Sequence, residues 1–390
     1  MILLLKNVVV VSPGVYQDHQ DIVVENGIIT SVGTGCDHAD EVVDGDGLTA
    51  VPGFFDIHCH GANGADVCDN NLDAIRHIAA KKLAEGVTTW LPTTLTQPRE
   101  ELLEIVGKVA IYRQQQDLTR CPGLHVEGPF INKEKAGAQN PQFVRPPDAG
   151  ELRALHAIVP VMILSLAPEM PGALELIREA RAAGIVCSAA HTAATCAQIS
   201  TAIDAGLTHL THFGNAMTPL HHREIGVVGA GLYDPRLMLE MICDTIHLCP
   251  DMLKLLFTVV PVERLMMITD SVAASWIGEG EIQLGGLVVE VRNHVARLKE
   301  GGALAGSTLR ANEGLRNIVE HTGRSLESVI QVTSWNQARS LGMKGFGKIE
   351  PGYNADITLL RDDFSVARTF VGGETRFVGQ ASTAIKLGKA

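Results

Sequence analysis

The stretch Val51-Pro52-Gly53-Phe54-Phe55-Asp56-Ile57-His58-Cys59-His60-Gly61 runs from apolar residues, with the length of a buried strand, into two histidines one residue apart. Successive strand side chains point to opposite faces, so Asp56, His58 and His60 are expected on one face and Cys59 on the other. Two imidazoles side by side at a strand end suit a divalent transition metal, and a nearby carboxylate can join them or orient a ring. In a chain with 15 histidines the pair alone is weak evidence. It needs partners elsewhere before it means metal.

On the amino-terminal side the texture is short strands: Val8 to Val11, Asp21 to Glu25, the Glu25-Asn26-Gly27 turn, then Ile28 to Val32. Asn-Gly between apolar runs is a hairpin signal, and a small β unit is expected here. From Pro52 onward helical patterns alternate with short apolar runs, and Gly86, Gly184 and Gly206 punctuate the joints as helix stops do. Each joint is followed by a few strand-like residues and a polar tip: Thr93-Thr94, His191 and His212. Eight strand candidates fit this grammar: Phe54 to His58, Thr88 to Leu91, Gly123 to Glu127, Val161 to Leu166, Val186 to Ala190, Leu207 to Thr211, Leu239 to Cys243 and Leu265 to Thr269. Eight βα repeats predict an α/β fold, a closed (β/α)8 TIM barrel whose active site lies at the strands' C-terminal ends. After Asp270 the pattern breaks into Glu281 to Glu290 and Val295 to Leu298, read as an inserted hairpin, before helices resume around Leu309 to Thr322, Ser325 to Val332 and Asn336 to Leu341. The tail through Ile357 to Leu360 and Phe370 to Gly373 returns to strands and is expected to join the amino-terminal unit. Residues beyond about 380 are expected to fray.

Composition narrows the class. A chain of 390 residues, 46% hydrophobic and 19% charged, can bury a large core. Its net charge of -12 argues against nucleic acid and anionic membrane as partners, so an anionic substrate needs local basic groups. Met1 to Leu5, interrupted by Lys6, reads as a strand rather than a signal peptide, and no apolar run approaches the ~20 residues of a membrane helix. Eight cysteines without a CxxC pair fit reduced, mostly buried thiols and a cytoplasmic home.

The strand ends carry the chemistry. Gly123-Leu124-His125-Val126-Glu127-Gly128-Pro129 makes Glu127 a strand tip. With His58, His60, His191 and His212 it gives five ligand-type residues on one rim of a barrel, and Asp270 adds a lone carboxylate at the eighth tip, placed to carry a proton for a water. Singly, each has a plainer explanation: a histidine at a strand end is more often structural, Glu127 could cap or pair, and Asp270 could cap the turn that follows. Five on one rim have no common structural cause, and that decides for ligation. His125 is read as a layer deeper in the barrel, His209 as pointing away from the His212 face, and His221 and His222 as loop residues.

Nearly the whole chain resembles the N-acetylglucosamine-6-phosphate deacetylases of the amidohydrolase superfamily, including relatives acting on the galactosamine epimer. The resemblance rests on ordered motifs: the opening Pro52 to Gly61 stretch, His125-Val126-Glu127-Gly128-Pro129-Phe130, Lys135 to Pro141, Leu166-Ala167-Pro168-Glu169, Ala190-His191-Thr192, His212-Phe213-Gly214-Asn215-Ala216-Met217, His222-Arg223-Glu224, Asp244-Thr245-Ile246-His247, Thr269-Asp270 and Leu304-Ala305-Gly306-Ser307-Thr308. It implies a small β-sandwich domain formed by both chain termini, residues 1–51 and 346–380, beside a catalytic barrel over residues 52–345.

The same resemblance implies Glu127, His191 and His212 as the primary metal site, Asp270 as catalytic base and acid, and one or two divalent metals per subunit, zinc first. Some family members lack the first-strand His-x-His and use one metal, whereas His58 and His60 keep the capacity for two. Asn215, Ala216, Arg223 and His247 would hold the sugar phosphate, with Arg223 reaching in from the second subunit of a homodimer. Ala138 and Leu304, Ala305, Gly306 and Ser307 would line the sugar. Where the family carries a histidine in its Gly-x-His-Asn-Pro loop this chain has Gln139, a substrate-binding position whose change bears on sugar or acyl specificity. The expected reaction is metal-assisted removal of the acetyl group from an N-acetylhexosamine 6-phosphate. Its rivals are an amidohydrolase acting on a non-phosphorylated N-acyl compound and a catalytically silent scaffold.

Overall fold

The computed structural model describes residues 1–33 and 35–380 of the chain; the expectation of fraying beyond about 380 lies outside the described residues. The amino-terminal strand Ile2–Ser12 buries Leu3, Leu5, Val8 and Val10, and these pack with Ile22, Val24, Ile357, Leu359 and Phe370 into a core of their own. That core belongs to an eight-stranded sheet running Glu374–Val378, Val366–Val371, Ile357–Leu360, Thr49–Pro52, Ile2–Ser12, Val15–Glu25 and Ile28–Gly33, with Glu41–Asp44 also paired to Ile2–Ser12. The two ends of the chain meet where Ile357–Leu360 runs antiparallel to Thr49–Pro52, Ala50 opposite Leu359. The tail therefore joins the amino-terminal β unit as expected, in the β-sandwich.

The second sheet is the barrel. Its eight strands, in chain order Phe54–Cys59, Val87–Thr94, Leu124–Glu127, Val161–Leu166, Val186–Ala189, Leu207–Leu210, Met238–Ile242 and Leu265–Ile268, lie side by side in that order, and every pair is parallel. Closure between the last and the first comes from an isolated parallel bridge, Cys59 with Ser271, and from the Asp270 N–H donating to the His58 carbonyl at 2.9 Å. Three of the strands follow helices that end in the glycine stops the sequence advertises, at Gly86, Gly184 and Gly206; Gly86 and Gly184 take left-handed φ values of 84° and 81° at which a side chain would be strained. The helices cover the barrel with one continuous apolar cluster from Phe54 and Trp90 through Tyr112 to Leu256.

The insertion after Asp270 differs from the expected hairpin. It is a three-stranded antiparallel meander, Gly280–Leu284, Leu287–Arg292 and Val295–Leu298. Two tight turns make it so: Gly285-Gly286 (φ 55° and 83°) splits the run read as one strand, and Asn293-His294 (φ 51° and 63°) reverses the chain again. Positive φ at both central residues is the two-residue hairpin turn that matches strand twist. The meander packs Leu284, Val289 and Ala296 against Leu95 and Val272 at the barrel rim, which roofs the site. Among the described residues no helix is long and apolar enough to cross a membrane.

Candidate metal and substrate site

The C-terminal rim of the barrel brings His58, His60, Glu127, His191, His212 and Asp270 together, all buried. Glu127, the last residue of its strand, stands at the centre. Its Oε1 lies 3.2 Å from His191 Nε2 and 3.0 Å from His212 Nε2, while Oε2 lies 3.2 Å from His60 Nε2. His58 Nε2 is 3.1 Å from His60 Nε2, and Asp270 Oδ1 is 3.3 and 3.4 Å from the same two nitrogens. Two groups of three can therefore hold a metal ion, Glu127 with His191 and His212, and Glu127 with His58 and His60; the carboxylate is common to both.

The other ring nitrogens show how the histidines are aimed. His60 Nδ1 is 3.1 Å from the Thr93 carbonyl and His191 Nδ1 is 2.9 Å from the Lys135 carbonyl. A carbonyl can only accept, so both rings carry their proton on Nδ1 and offer the Nε2 lone pair to the centre. Three of the rim groups stand where the strand has already ended: His191, His212 and Asp270 each sit two residues past the last strand residue, with φ of 46°, 35° and 49°. A left-handed backbone at a non-glycine residue costs about 1–3 kcal/mol and persists only where surrounding contacts fix it. Here it turns the side chains inward over the barrel mouth.

Electrostatics follow the same geometry. Burial acts to raise the Glu127 and Asp270 carboxyls, but the ring of histidines overrides it and holds both well below the usual carboxylate range. His125 is pushed down to about 3 by burial and by its neighbour His58, so it is neutral. Its nitrogens engage the Ile57 carbonyl and Ser165 Oγ, both at 2.7 Å. It lies deeper in the barrel, as its sequence position implied.

A cavity of about 360 Å³ opens above the cluster. Its wall includes Ala138, Gln139, Asn215, Ala216, His247, Leu304 and Gly306. His247 Nδ1 bonds Asp244 at 2.6 Å, and although burial works against the charge, that carboxylate holds its pKa up. Gln139 is on the wall but both ends of its amide are engaged: Nε2 donates to Glu127 Oε2 at 2.5 Å and Oε1 accepts from the Thr96 N–H at 2.6 Å.

Four expected substrate or ligand positions are off that wall. His58 lies beneath it. Ala305 is buried under the meander, and Ser307 holds the eighth strand, donating Oγ–H to the Thr269 carbonyl and N–H to the Asp270 carbonyl. Arg223 sits on an exposed turn, with Nη1 2.7 Å from His222 Nε2, outside the cavity. Asp56 does not orient a histidine ring. The strand ladder slips between Asp56 and Cys59, and the Asp56 carboxylate takes Lys82 Nζ at 3.1 Å and Thr269 Oγ1 at 2.5 Å instead. His209 also departs from expectation: it turns into the barrel, its Nδ1 3.3 Å from Glu240, because His212 lies beyond the strand end and alternation cannot be counted across the Thr211–His212 turn.

Residues 49–376 match the Amidohydrolase family. The chain belongs to the amidohydrolase family. It is 34% identical over 342 residues to the N-acetylglucosamine-6-phosphate deacetylase of Bacillus subtilis, covering 86% of each chain. It is 36% identical over 333 residues to the N-acetylgalactosamine-6-phosphate deacetylase of Escherichia coli O157:H7, covering 84% of this chain and 88% of that one. Among solved structures, a variant of the Mycobacterium smegmatis N-acetyl-D-glucosamine-6-phosphate deacetylase in complex with N-acetyl-D-glucosamine-6-phosphate superposes with a TM-score of 0.89, at 32% identity, over 96% of this chain and 99% of that chain. Within the amidohydrolases, this chain sits on the branch of the N-acetylhexosamine-6-phosphate deacetylases.

Sequence reasoning passed over two buried charged groups beside the site, Lys82 and Glu240. The signal was present in both cases, a charged residue on the apolar side of a helix and a carboxylate in the middle of an apolar strand.

Proposed function

We propose that this amidohydrolase removes the acetyl group from an N-acetylhexosamine 6-phosphate, giving acetate and the amino-sugar phosphate. The observation that carries the reading is the shared carboxylate, Glu127, bracketed by two pairs of histidine Nε2 atoms with Asp270 alongside on the floor of one cavity. The names of the relatives supply the substrate class.

The residues fit a divalent metal. Four imidazoles and one carboxylate converge in a buried site, and a donor set of nitrogen with one oxygen suits zinc first. We assign the tighter position to Glu127, His191 and His212 and a weaker one to His58 and His60 with Glu127. Glu127 and the four histidines would hold the metal, and the chemistry supplied there would be a bound water with its pKa lowered toward ~7 and a polarised acetyl carbonyl. The chain's own contribution is proton handling and orientation. Asp270 takes the proton from the attacking water and delivers it to the departing amine. A carboxyl held below the usual range is ionised at neutral pH, the form that can accept the water's proton. Asn215, Ala216 and His247 face the cavity where the sugar phosphate would lie, Leu304 and Gly306 cover the sugar, and Arg223 is supplied by the second subunit of a homodimer. The carboxylate clamp made by Gln139 leaves the choice of epimer to other cavity residues. The two separate cores support the division into a β unit of residues 1–51 and 346–380 and a barrel of residues 52–345. A cytoplasmic home agrees with the eight unpaired cysteines.

The test is release of acetate from N-acetylglucosamine 6-phosphate, its galactosamine epimer and the two unphosphorylated sugars by metal-loaded enzyme. Turnover confined to the phosphorylated pair is expected; equal kcat/KM on unphosphorylated N-acyl compounds would move the chain to a different amidohydrolase activity.

A further inference from the structure

We infer that Glu240 is a positioning residue for the second metal position, acting through His58. The inference rests on the reading of His58 and His60 as a metal pair and adds the group that makes the pair competent.

Glu240 lies in the seventh barrel strand, Met238–Ile242, and is completely buried. A carboxylate in such a place carries a large desolvation cost and persists only with specific partners. Oε1 has one, His209 Nδ1 at 3.3 Å. Oε2 has none within hydrogen-bond distance among the described residues, and the same is true of His58 Nδ1. These two unpartnered, buried atoms face each other at 3.8 Å.

The chemistry of a ligating imidazole explains the match. A histidine that offers Nε2 to a metal keeps its proton on Nδ1, and that N–H needs an acceptor when buried. His60 and His191 meet the need with backbone carbonyls, those of Thr93 and Lys135. Among the described residues His58 Nδ1 has no carbonyl within hydrogen-bond distance, and the acceptor it faces is the Glu240 carboxylate. A shift of about 1 Å closes the 3.8 Å gap to an ordinary charge-assisted hydrogen bond. A carboxylate raises the basicity of the ring more than a carbonyl does, and it adds a negative charge beneath a position that would hold a cation. His209 fixes Glu240 from the far side, so the chain of contacts runs from His209 through Glu240 to His58.

His58, His125 and Glu240 also lie close enough together to suggest a third metal position. Both nitrogens of His125 are already engaged, by the Ile57 carbonyl and by Ser165 Oγ at 2.7 Å. His125 is therefore a wall, packed edge-on against the His58 ring at 4.6 Å between centroids, and the carboxylate is left to His58.

The experiment is titration of metal-free protein with Co²⁺, following visible absorption, together with metal analysis after dialysis, on wild type, Glu240→Gln and Glu240→Ala. Wild type is expected to take up two equivalents in two phases. In Glu240→Ala the first phase keeps its midpoint and spectrum, while the second moves to roughly 10- to 100-fold higher metal, the usual cost of losing an outer partner of a ligand. Glu240→Gln keeps a carbonyl acceptor without the charge and should fall between the two, which also covers the case in which the alanine variant does not fold. A merely structural role would move both phases together, and that result, or an unmoved second phase, overturns the inference. A wild type that binds one equivalent overturns instead the reading of His58 and His60 as a metal pair.

Discussion

Gln139 shows how a single side chain can stand on a cavity wall without facing the cavity. Its amide joins Glu127 Oε2 to the Thr96 N–H, so a donor and an acceptor are both spent inside the protein. Gln139→Leu keeps the volume and removes both bonds, leaving a buried N–H and a buried carboxylate oxygen short of a partner. The expected cost is about 1–3 kcal/mol of stability for each neutral group so orphaned, read as a lower midpoint in urea unfolding of the metal-free protein. Gln139→His is expected to shift the ratio of kcat/KM between the two epimers by less than about threefold, or ~0.7 kcal/mol; a larger shift would return Gln139 to the substrate. Asp270 makes the opposite case. Among the described residues its carboxylate accepts no backbone hydrogen bond, and its Oδ1 faces the two first-strand histidines. Asp270→Asn should keep its metal, by elemental analysis, and lose ~100-fold or more in kcat because an amide cannot accept the water's proton; retention of a tenth of wild-type turnover would remove it from proton transfer.

At the scale of elements, the barrel was legible because its strands are short, largely apolar runs, several closed by a polar tip, and three helices end in glycines that mark the joints. Seven of the candidate runs lie within a residue or so of the observed strands; the second extends further, to Thr94, because Pro92 and the threonines continue a ladder that composition alone disguises. The rim residues were found for the same reason, but their orientation was not. Counting alternate residues fails at Asp56, where the ladder slips, and at His209, because the chain turns left-handed at His212. Partners that come from distant elements were invisible too. Lys82, on the first barrel helix, Leu72–Ala84, reaches Asp56 at 3.1 Å, Glu85 at 3.0 Å, Ser271 Oγ at 2.9 Å and Thr269 Oγ1 at 3.1 Å. It thereby ties the first strand to the eighth on either side of Asp270, where the barrel closes. Lys82→Met strips the cation from two buried carboxylates, and breaking a buried pair in this way typically costs 3–5 kcal/mol. Denaturant unfolding should show that loss in the single variant and recover part of it in Lys82→Met combined with Asp56→Asn; a single variant within ~1 kcal/mol of wild type would mean that the network carries little.

The whole molecule raises the question of phosphate. The chain is acidic overall, and the basic side chains on the wall of its cavity are Lys135 and the histidines, while Arg223 sits on an exposed turn that also displays Leu220. An exposed guanidinium on a turn is available to a neighbouring subunit, which is the role proposed for Arg223 above. Arg223→Ala should raise KM for a phosphorylated sugar far more than for its unphosphorylated counterpart, since only the former needs charge neutralisation. Delivery in trans makes a sharper demand. In a mixed dimer of Arg223→Ala and Asp270→Asn subunits, the site built on the first subunit keeps its own Asp270 and receives the intact Arg223 of the second, whereas the other site carries both defects. Equal co-refolding of the two variants should then recover about a quarter of wild-type activity at low substrate, from half the dimers with one good site each. If Arg223 served its own subunit, every site in the mixture would carry one defect and mixing would recover nothing.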